Sequence, residues 1–290
     1  MQRHLYCTQK PCSVQSQFVA ILRKVQQEWK AVAPFLKRKN HHLLQQSDAH
    51  ILTLHLLGKG LGFTSERAWH RFIQGNLGTV VERSRYNRRC RDLRFALKWL
   101  RKRLSSPEFG GPYSIVDSLP LPLCHPVRLA RARSFRGLAD VGYCASKRSH
   151  YYGFKLHVQI DSFGFVQRYV LSAASVHDVQ IVEELLCQAP SAFVLGDKGY
   201  LSHAVQVRLK QHLGTLLCVP TRSNSKEQRW TPAFTRWMRR KRKQIETVFS
   251  ILVTRFALSS IRSKSPAGFE TNVDGILLAY TLWKLGVIPD

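Results

Sequence analysis

The order of apolar segments after residue 112 constrains the fold of this chain more than any other feature. Short runs at 113–117, 151–160, 165–172, 192–195 and 216–219 have the length and the β-branched and aromatic content of strands. Segments with helical periodicity lie at 176–188, 203–212, 233–258 and 268–285. This βββαβαβα order, with only short connections, predicts an α/β fold: a mixed five-stranded sheet with flanking helices.

The residues before this region are predicted to be helical. Helical patterns cover 18–33, 48–57, 65–74 and 84–104. A segment rich in Ser, Pro and Gly at 105–112 predicts a domain boundary, with one region at 1–106 and a second at 107–290. A glycine-rich turn at 58–62 joins the middle two helices. Such a pair suits reading of the DNA major groove, although two helices joined by glycines more often simply pack together.

Charge indicates the partner of the chain. It has 45 Lys and Arg against 18 Asp and Glu, a net charge of +27, and residues 1–106 hold 21 basic and only 5 acidic side chains. A polyanion usually neutralises such an excess, and nucleic acid is favoured over a membrane surface. Residues 1–106 are therefore predicted to be a DNA-binding region. The predicted phosphate contacts there are Arg83, Arg85, Arg88 and Arg89.

Other features predict a cytoplasmic protein without a membrane segment. The longest apolar stretch, 276–283, is too short to cross a bilayer. The first residues carry no apolar core of a secretory signal. Seven cysteines without a C-x-x-C pair argue against a disulfide scaffold and against a thiolate zinc site.

Three acidic residues stand where a sheet can deliver side chains to one site. Asp117 and Asp197 each follow an apolar strand, and a crossover connection would make those strands neighbours. Glu246 lies at the margin of the apolar stripe of a long helix, one turn after Arg242. The alternatives are ordinary: an Asp after a strand often caps a helix or forms a turn, and a Glu four residues after an Arg is usually an exposed ion pair.

Three carboxylates fit the chemistry of phosphodiester bonds. Two Mg²⁺ ions about 3.5–4 Å apart can activate the attacking oxygen and stabilise the leaving oxygen. Hard cations prefer oxygen ligands, so Asp and Glu are the expected side chains. Asp117, Asp197 and Glu246 are therefore candidates for catalysis and for holding the metal.

Five blocks of sequence, taken together and in order, resemble the DDE transposases of bacterial insertion sequences, closest to the group typified by insertion sequence nine-eight-two. The blocks are Ile115-Val116-Asp117-Ser118, Tyr152-Gly153-Phe154-Lys155-Leu156-His157, Val176-His177-Asp178, Leu195-Gly196-Asp197-Lys198-Gly199-Tyr200 and Arg242-Lys243-Gln244-Ile245-Glu246. The resemblance covers nearly the whole chain. It implies an RNase H-like catalytic fold, two Mg²⁺ ions that Mn²⁺ can replace, and Asp117, Asp197 and Glu246 as the catalytic acids.

The resemblance also implies partners and an activity. The expected reaction is cleavage at terminal inverted repeats followed by strand transfer into target DNA, so both double-stranded DNAs are partners. Because two DNA ends have to be brought together, a homodimer on DNA is expected. One departure concerns the last block, where related groups often carry Tyr and Lys but this chain has Arg239 and Val253.

Further DNA contacts are predicted around the acids, at Lys155, Lys198, Arg239 and Arg242. Lys155 and His157 alternate along one strand and so point the same way, with His157 expected to be structural. Asp178 begins a helix, where it is expected to cap the helix or to contact substrate. Lys198 and Tyr200 closely follow Asp197 and are expected to position DNA.

Two alternative functions remain open from the sequence. The first is a DNA-binding regulator whose catalytic centre is unused. The second is a nuclease of the same fold that cuts DNA without joining it. Metal-dependent cutting separates the first from a transposase, and joining of donor ends to a plasmid separates the second.

Overall fold

The computed structural model describes residues 13–36, 44–78, 80–105, 111–124, 126–132, 134–145, 148–221 and 230–289. Most of the predicted boundary at 105–112 lies outside these residues, as do Cys7 and Cys12. Within them the chain divides, as the sequence predicts, into N-terminal helices and a mixed sheet with flanking helices. None of the helices in these ranges is long and apolar enough to cross a bilayer.

In the part of the chain that the structure describes, five α-helices precede the sheet, and serine side chains begin three of them. Ser13, Ser47 and Ser65 each accept a hydrogen bond from a backbone N–H in the first turn, which satisfies a donor that the helix leaves free. The helices are α1 (Val14–Val32), α2 (Asp48–Gly60), α3 (Glu66–Leu77), α4 (Arg83–Asp92) and α5 (Arg94–Leu104).

Two predictions for this region are wrong. The glycine-rich segment 58–62, predicted as a turn, is helical as far as Gly60. The single helix predicted over 84–104 is two helices that break at Leu93. No Pro or Gly marks this break, so the local sequence gave no signal for it. The break sets the direction of α5, whose Leu97 and Leu100 are fully buried.

The sheet has the predicted five strands in the order β4-β3-β1-β5-β6, and a short β2 extends it by pairing with the first part of β3. Strands β1, β3 and β4 pair antiparallel, whereas β5 is parallel to β1 and β6 is parallel to β5. This is the RNase H-like arrangement that the resemblance implies. The strands are β1 (Ser114–Cys124), β2 (Asp140–Cys144), β3 (Ser149–Asp161), β4 (Val166–Ala173), β5 (Phe193–Leu195) and β6 (Leu216–Cys218).

Strand β1 is longer than predicted and does not end at Asp117. It pairs with β3 over nearly its whole length but with β5 only at Ser114 and Ile115. Pro120 and Pro122 are tolerated in the remainder because that part has no strand on its other edge, so no ladder bond is lost there. Asp117 therefore stands where the parallel partner of β1 ends rather than where β1 itself ends.

Among the described residues that follow β1, four α-helices complete the fold, and the last ties the sheet to the N-terminal region. They are α6 (Asp178–Cys187), α7 (His203–Leu213), α8 (Pro232–Thr254) and α9 (Pro266–Lys284). Helix α9 packs against α2 and α5, and one hydrophobic core runs through all three. A buried ion pair of 3.0 Å between Arg101 of α5 and Asp274 of α9 crosses this contact.

Candidate active site

Asp117 and Asp197 lie at the same level on the neighbouring parallel strands β1 and β5. The register pairs Ile115 with Leu195, and each aspartate follows two residues later on its own chain. Two residues are the side-chain period of a strand, and Asp197 keeps an extended backbone, so both carboxylates project from the same face. The topology thus places two acids side by side at the end of the parallel pairing.

The Asp117 carboxylate is held in a partly desolvated position. Burial raises its pKa to about 6, against the lowering effects of Arg242 and of the Ser118 backbone N–H. The Arg242 guanidinium lies 3.3 Å from one carboxylate oxygen, and the Ser118 N–H donates to the other at 2.8 Å. The negative charges of Asp197 and Asp178 raise the pKa further. Burial is therefore the main reason that the pKa of this carboxylate is raised, and the neighbouring carboxylates add to it.

Asp197 is fixed by the tight turn that follows it. Its Oδ1 accepts a hydrogen bond of 2.7 Å from the Gly199 backbone N–H. A Cβ at position 199 would lie 2.9 Å from that oxygen, closer than side chains tolerate. Glycine is needed at this position because the carboxylate and the backbone approach each other so closely.

Glu246 is not gathered as closely as the two aspartates. It lies on α8 one turn after Arg242, on the flank whose arginine contacts Asp117, and its side chain is exposed. Within the described ranges it forms no hydrogen bond or ion pair. Nor do any three His, Cys, Asp or Glu side chains of the described residues stand close enough together to hold one metal ion.

Asp178 is a third carboxylate at this site, and sequence reasoning gave it mainly the role of a helix cap. It is the first residue of α6, but the N-cap is His177 and the Asp178 side chain turns to the sheet. Its Oδ2 accepts from the Ser118 hydroxyl at 3.0 Å, and its Oδ1 accepts from Lys155 at 2.9 Å. The Val176-His177-Asp178 block in the sequence pointed to this residue, but it did not indicate that the Asp178 side chain turns toward the sheet.

Two buried side chains line the back of this cluster. His157 bonds Ser172 at 2.9 Å, and burial lowers its pKa to about 4, so it is neutral and structural as predicted. Tyr200 was expected to position DNA, but it is fully buried and cannot reach a ligand. Burial, together with the charges of Asp178, Asp117 and Asp197, raises its pKa well above the usual value.

The predicted DNA-binding residues are placed in different environments. Arg83, Arg85 and Arg88 on α4 are exposed, as are Lys198 and Arg239. Arg89 is buried instead, because its guanidinium bonds Asp48 at 2.6 Å. Lys155 and Arg242 are engaged with Asp178 and Asp117. The prediction that groups Arg89 with its neighbours as a phosphate contact therefore does not fit its burial.

The donor atoms suit a hard divalent cation. Asp117 and Asp197 stand level at the end of the parallel pairing, and burial, with a smaller effect of the neighbouring carboxylates, raises the pKa of Asp117, so a bound cation would favour its charged form. Asp117 and Asp197 supply carboxylate oxygens, the kind of ligand that such an ion prefers. Glu246 would join them only after its side chain turns toward the strands.

A comparison with protein families agrees with this geometry. Residues 111–266, more than half of the chain, match the family model described as a transposase DDE domain. The matched segment contains Asp117 on β1, Asp197 just after β5, and Glu246 on α8. No curated protein and no solved structure is significantly similar to the chain.

Proposed function

Because this chain belongs to the family of transposase DDE domains, we propose that it cuts DNA at the inverted repeats of its own element and transfers the freed ends into target DNA. Enzymes of this family are polynucleotidyl transferases that use a divalent metal. The observation that carries the proposal is that Asp117 and Asp197 each lie two residues after a paired position of the adjacent parallel strands β1 and β5. Helix α8 lies beside them and brings Glu246.

Asp117, Asp197 and Glu246 would hold two Mg²⁺ ions, for which Mn²⁺ can substitute. Bound there, the ions would activate the attacking oxygen and stabilise the leaving oxygen of an in-line displacement. Oxygen ligands of this kind are what Mg²⁺ prefers. The raised pKa of Asp117 supports the assignment, since a neighbouring cation would restore its charged form.

The protein side chains position these acids. Arg242 ties α8 to Asp117, and it therefore also sets the distance between Glu246 and the strands. Since Glu246 is exposed and has no partner in the described part of the chain, turning toward Asp117 breaks no hydrogen bond. Asp178 holds Ser118 and Lys155 in place beside the first aspartate.

The DNA interface that we propose begins at the acids and includes the N-terminal region. Lys198 and Arg239 are exposed beside the site and are assigned to phosphate contacts, as are Arg83, Arg85 and Arg88 on α4. Lys155 and Arg242 lie at the site itself, where substrate phosphate would compete with Asp178 and Asp117 for these two cations. We assign Arg89 to the fold instead. The active form on DNA is a homodimer that holds two ends together.

The experiment that tests this function uses linear duplexes bearing the ends of the element, a supercoiled target plasmid and Mg²⁺. Wild-type protein should cut the ends and attach them covalently to the plasmid. Asp117→Asn, Asp197→Asn and Glu246→Gln should lose both activities. Glu184→Gln, which removes an exposed glutamate from α6, is the matched control and should retain them.

Other outcomes identify other functions. Cutting without joined product indicates a nuclease, and binding to the ends without cutting indicates a regulator. A wild-type protein that never cuts DNA bearing its own ends would overturn the proposal. The proposed kinship with the group typified by insertion sequence nine-eight-two predicts short inverted repeats flanking the coding region.

A further inference from the structure

A second basic site lies away from the acids, between the N-terminal helices and the connection from α8 to α9. It is a cavity of about 470 Å³ whose wall includes Lys59, Arg91, Arg262 and Lys264. The first two belong to α2 and α4, and the last two belong to the connection. Residues from both regions of the chain are thus needed to form it.

The cavity carries an excess of unpaired positive charge. Four cations line it against one carboxylate, that of Glu66, which accepts a hydrogen bond of 2.7 Å from Asn87. None of the four cations forms an ion pair with a residue of the described ranges. Burial lowers the pKa of Lys59 to about 8, and the negative charge of Glu66 offsets only part of this effect.

Two helices begin at the wall of this cavity. Ser65 caps α3 and Ser265 caps α9, and both serines are lining residues. The first backbone N–H groups of a helix are only partly satisfied by the cap, and the helix dipole favours an anion there. Glu66 offsets part of this effect at α3, but the start of α9 has no acidic residue.

We propose that this cavity binds phosphate groups of a DNA strand, at a second anchoring point distinct from the catalytic acids. Its volume exceeds that of one phosphate and falls in the range of sites that take a small organic molecule, so a phosphodiester with its sugar fits. Cations with hydrogen-bonding hydroxyl groups suit phosphate oxygens.

The position of the cavity relative to the acids supports a DNA ligand. Arg242, which contacts Asp117, and Thr254, at the end of α8 next to the cavity, are twelve residues apart on one helix. At 1.5 Å per residue they are about 18 Å apart. A DNA strand advances about 3.4 Å per nucleotide, so one duplex covers this distance in about five or six steps. A duplex of this length is therefore long enough to reach from one site to the other.

The test measures binding of the full-length protein to a fluorescent duplex at several salt concentrations, in EDTA. Arg262→Gln with Lys264→Gln removes two exposed cations from the cavity, and Arg136→Gln with Lys210→Gln removes two exposed cations elsewhere. For the cavity variant we expect binding about 10-fold weaker and a slope of log K against log salt smaller by about 2, since each lost phosphate contact removes about one unit. The control should keep its slope.

Equal slopes in the two double variants would overturn the proposal. A separate arm compares thermal unfolding in sodium phosphate and in sodium chloride of equal ionic strength. If phosphate stabilises wild type but not the cavity variant while the DNA slopes stay equal, the ligand is a free anion and the DNA assignment is wrong. The inference takes its ligand, DNA, from the proposed function. Because binding is measured in EDTA, where no cleavage occurs, the DNA-binding proposal and the proposed catalytic function can fail separately.

Discussion

Arg242 of α8 contacts Asp117 of β1 at 3.3 Å, so the helix that carries the third acid is tied directly to the strand that carries the first. This contact joins positions that are 125 residues apart in sequence. It fixes the flank of α8 that faces the sheet, and Glu246 lies on that flank one turn later. The site is therefore assembled by tertiary contacts around one partly neutralised carboxylate.

The first prediction concerns the cost of keeping Asp117 ionised. Its pKa of about 6 in the folded protein is above the value of about 4 in an unfolded chain. Such a group stabilises the fold below its unfolded pKa, and this contribution is lost as pH rises through 6. In metal-free protein at pH 7.5, Asp117→Asn should therefore raise the free energy of unfolding by about 1–2 kcal/mol, less than the full shift because Arg242 loses its partner.

Urea unfolding in EDTA at pH 7.5 and 4.5 measures this effect, and the gain should shrink at the lower pH. Asp140→Asn is the control with the opposite sign. Hydrogen bonds from Ser175 and from the Val141 N–H lower the pKa of that exposed carboxylate, so its loss should destabilise the protein at pH 7.5. An Asp117→Asn variant that is less stable than wild type at both pH values would contradict the prediction.

The second prediction concerns Asp178. Ser118 and Lys155 donate to different oxygens of Asp178, and an asparagine replaces one of these oxygens with an NH2 group, which cannot accept a hydrogen bond. Asp178→Asn should slow single-turnover cleavage at saturating DNA and raise the Mg²⁺ concentration needed for half-maximal rate. Ser118→Ala should have a smaller effect of the same kind. A Mg²⁺ titration identical to that of Glu184→Gln would show that Asp178 has no part in positioning.

The third prediction concerns the turn that holds Asp197. In Gly199→Ala the added methyl group pushes against the carboxylate oxygen 2.9 Å away. A misplacement of about 1 Å at a reacting centre can cost 100-fold in rate, so we expect cleavage to fall by about 10-fold or more. Thermal stability should change little, because Gly199 is exposed.

Gly75→Ala is the matched control for that substitution. Gly75 lies inside α3, and a Cβ there meets nothing within 4 Å. Alanine should therefore raise the free energy of unfolding by up to about 1 kcal/mol without changing the cleavage rate. If Gly199→Ala cleaves as fast as Gly75→Ala, the close approach to Asp197 is not important for activity.

The fourth prediction concerns the contact between the N-terminal helices and α9. Arg101 and Asp274 are almost fully buried, whereas Lys98 and Glu270 form an exposed pair of 3.0 Å between the same two helices. Arg101→Met should lower the free energy of unfolding by about 3–5 kcal/mol, because it leaves a buried charge unpaired. Lys98→Met should cost less than about 1 kcal/mol.

A double variant separates the ion pair from the packing. Arg101→Met with Asp274→Leu removes both charges and should recover most of the loss, since an apolar pair of similar volume packs well in such positions. Denaturant unfolding with a single transition gives the free energy of unfolding of Arg101→Met, of Lys98→Met and of the double variant. A double variant as unstable as Arg101→Met alone would show that the loss comes from packing rather than from charge.

The strands that the sequence predicted are those whose apolar runs are long enough to stand out locally. Strand β2 was missed because Val141 and Tyr143 are exposed, and the strand exists only by pairing with β3. The extension of β1 was missed because its two prolines usually end a strand. They are tolerated here only because of which strands lie beside β1, which is a property of the whole fold.

The candidate site, like the strands, was predictable from the sequence only in part. The sheet topology was enough to bring Asp117 and Asp197 together, because Asp117 lies on β1, Asp197 follows β5, and a crossover makes these two strands neighbours. The inward turn of Asp178 was not predictable, since it depends on Ser118 and Lys155, which lie far away in sequence. The burial of Arg89 has the same origin, because its partner Asp48 is 41 residues distant.

The last prediction follows from that difference within one basic cluster on α4. Arg85 is exposed, whereas Arg89 is 5% exposed and bonds both Asp48 and the Gln46 carbonyl. Arg85→Ala should keep the free energy of unfolding within about 0.5 kcal/mol and reduce the salt slope of DNA binding by about 1. Arg89→Ala should lower the free energy of unfolding by about 3 kcal/mol, because it leaves the largely buried Asp48 without its cation.

The assignment requires opposite results for the two variants. Arg85→Ala should change the salt slope but not the stability, whereas Arg89→Ala should change the stability but not the salt slope. Binding is measured at a temperature where Arg89→Ala remains folded, so that a loss of structure is not mistaken for a loss of contact. Under that condition its salt slope should match wild type, because Arg89 offers no phosphate contact. If Arg89→Ala instead lowers the slope as Arg85→Ala does and leaves stability unchanged, Arg89 turns outward to DNA and its pairing with Asp48 is not the state that binds.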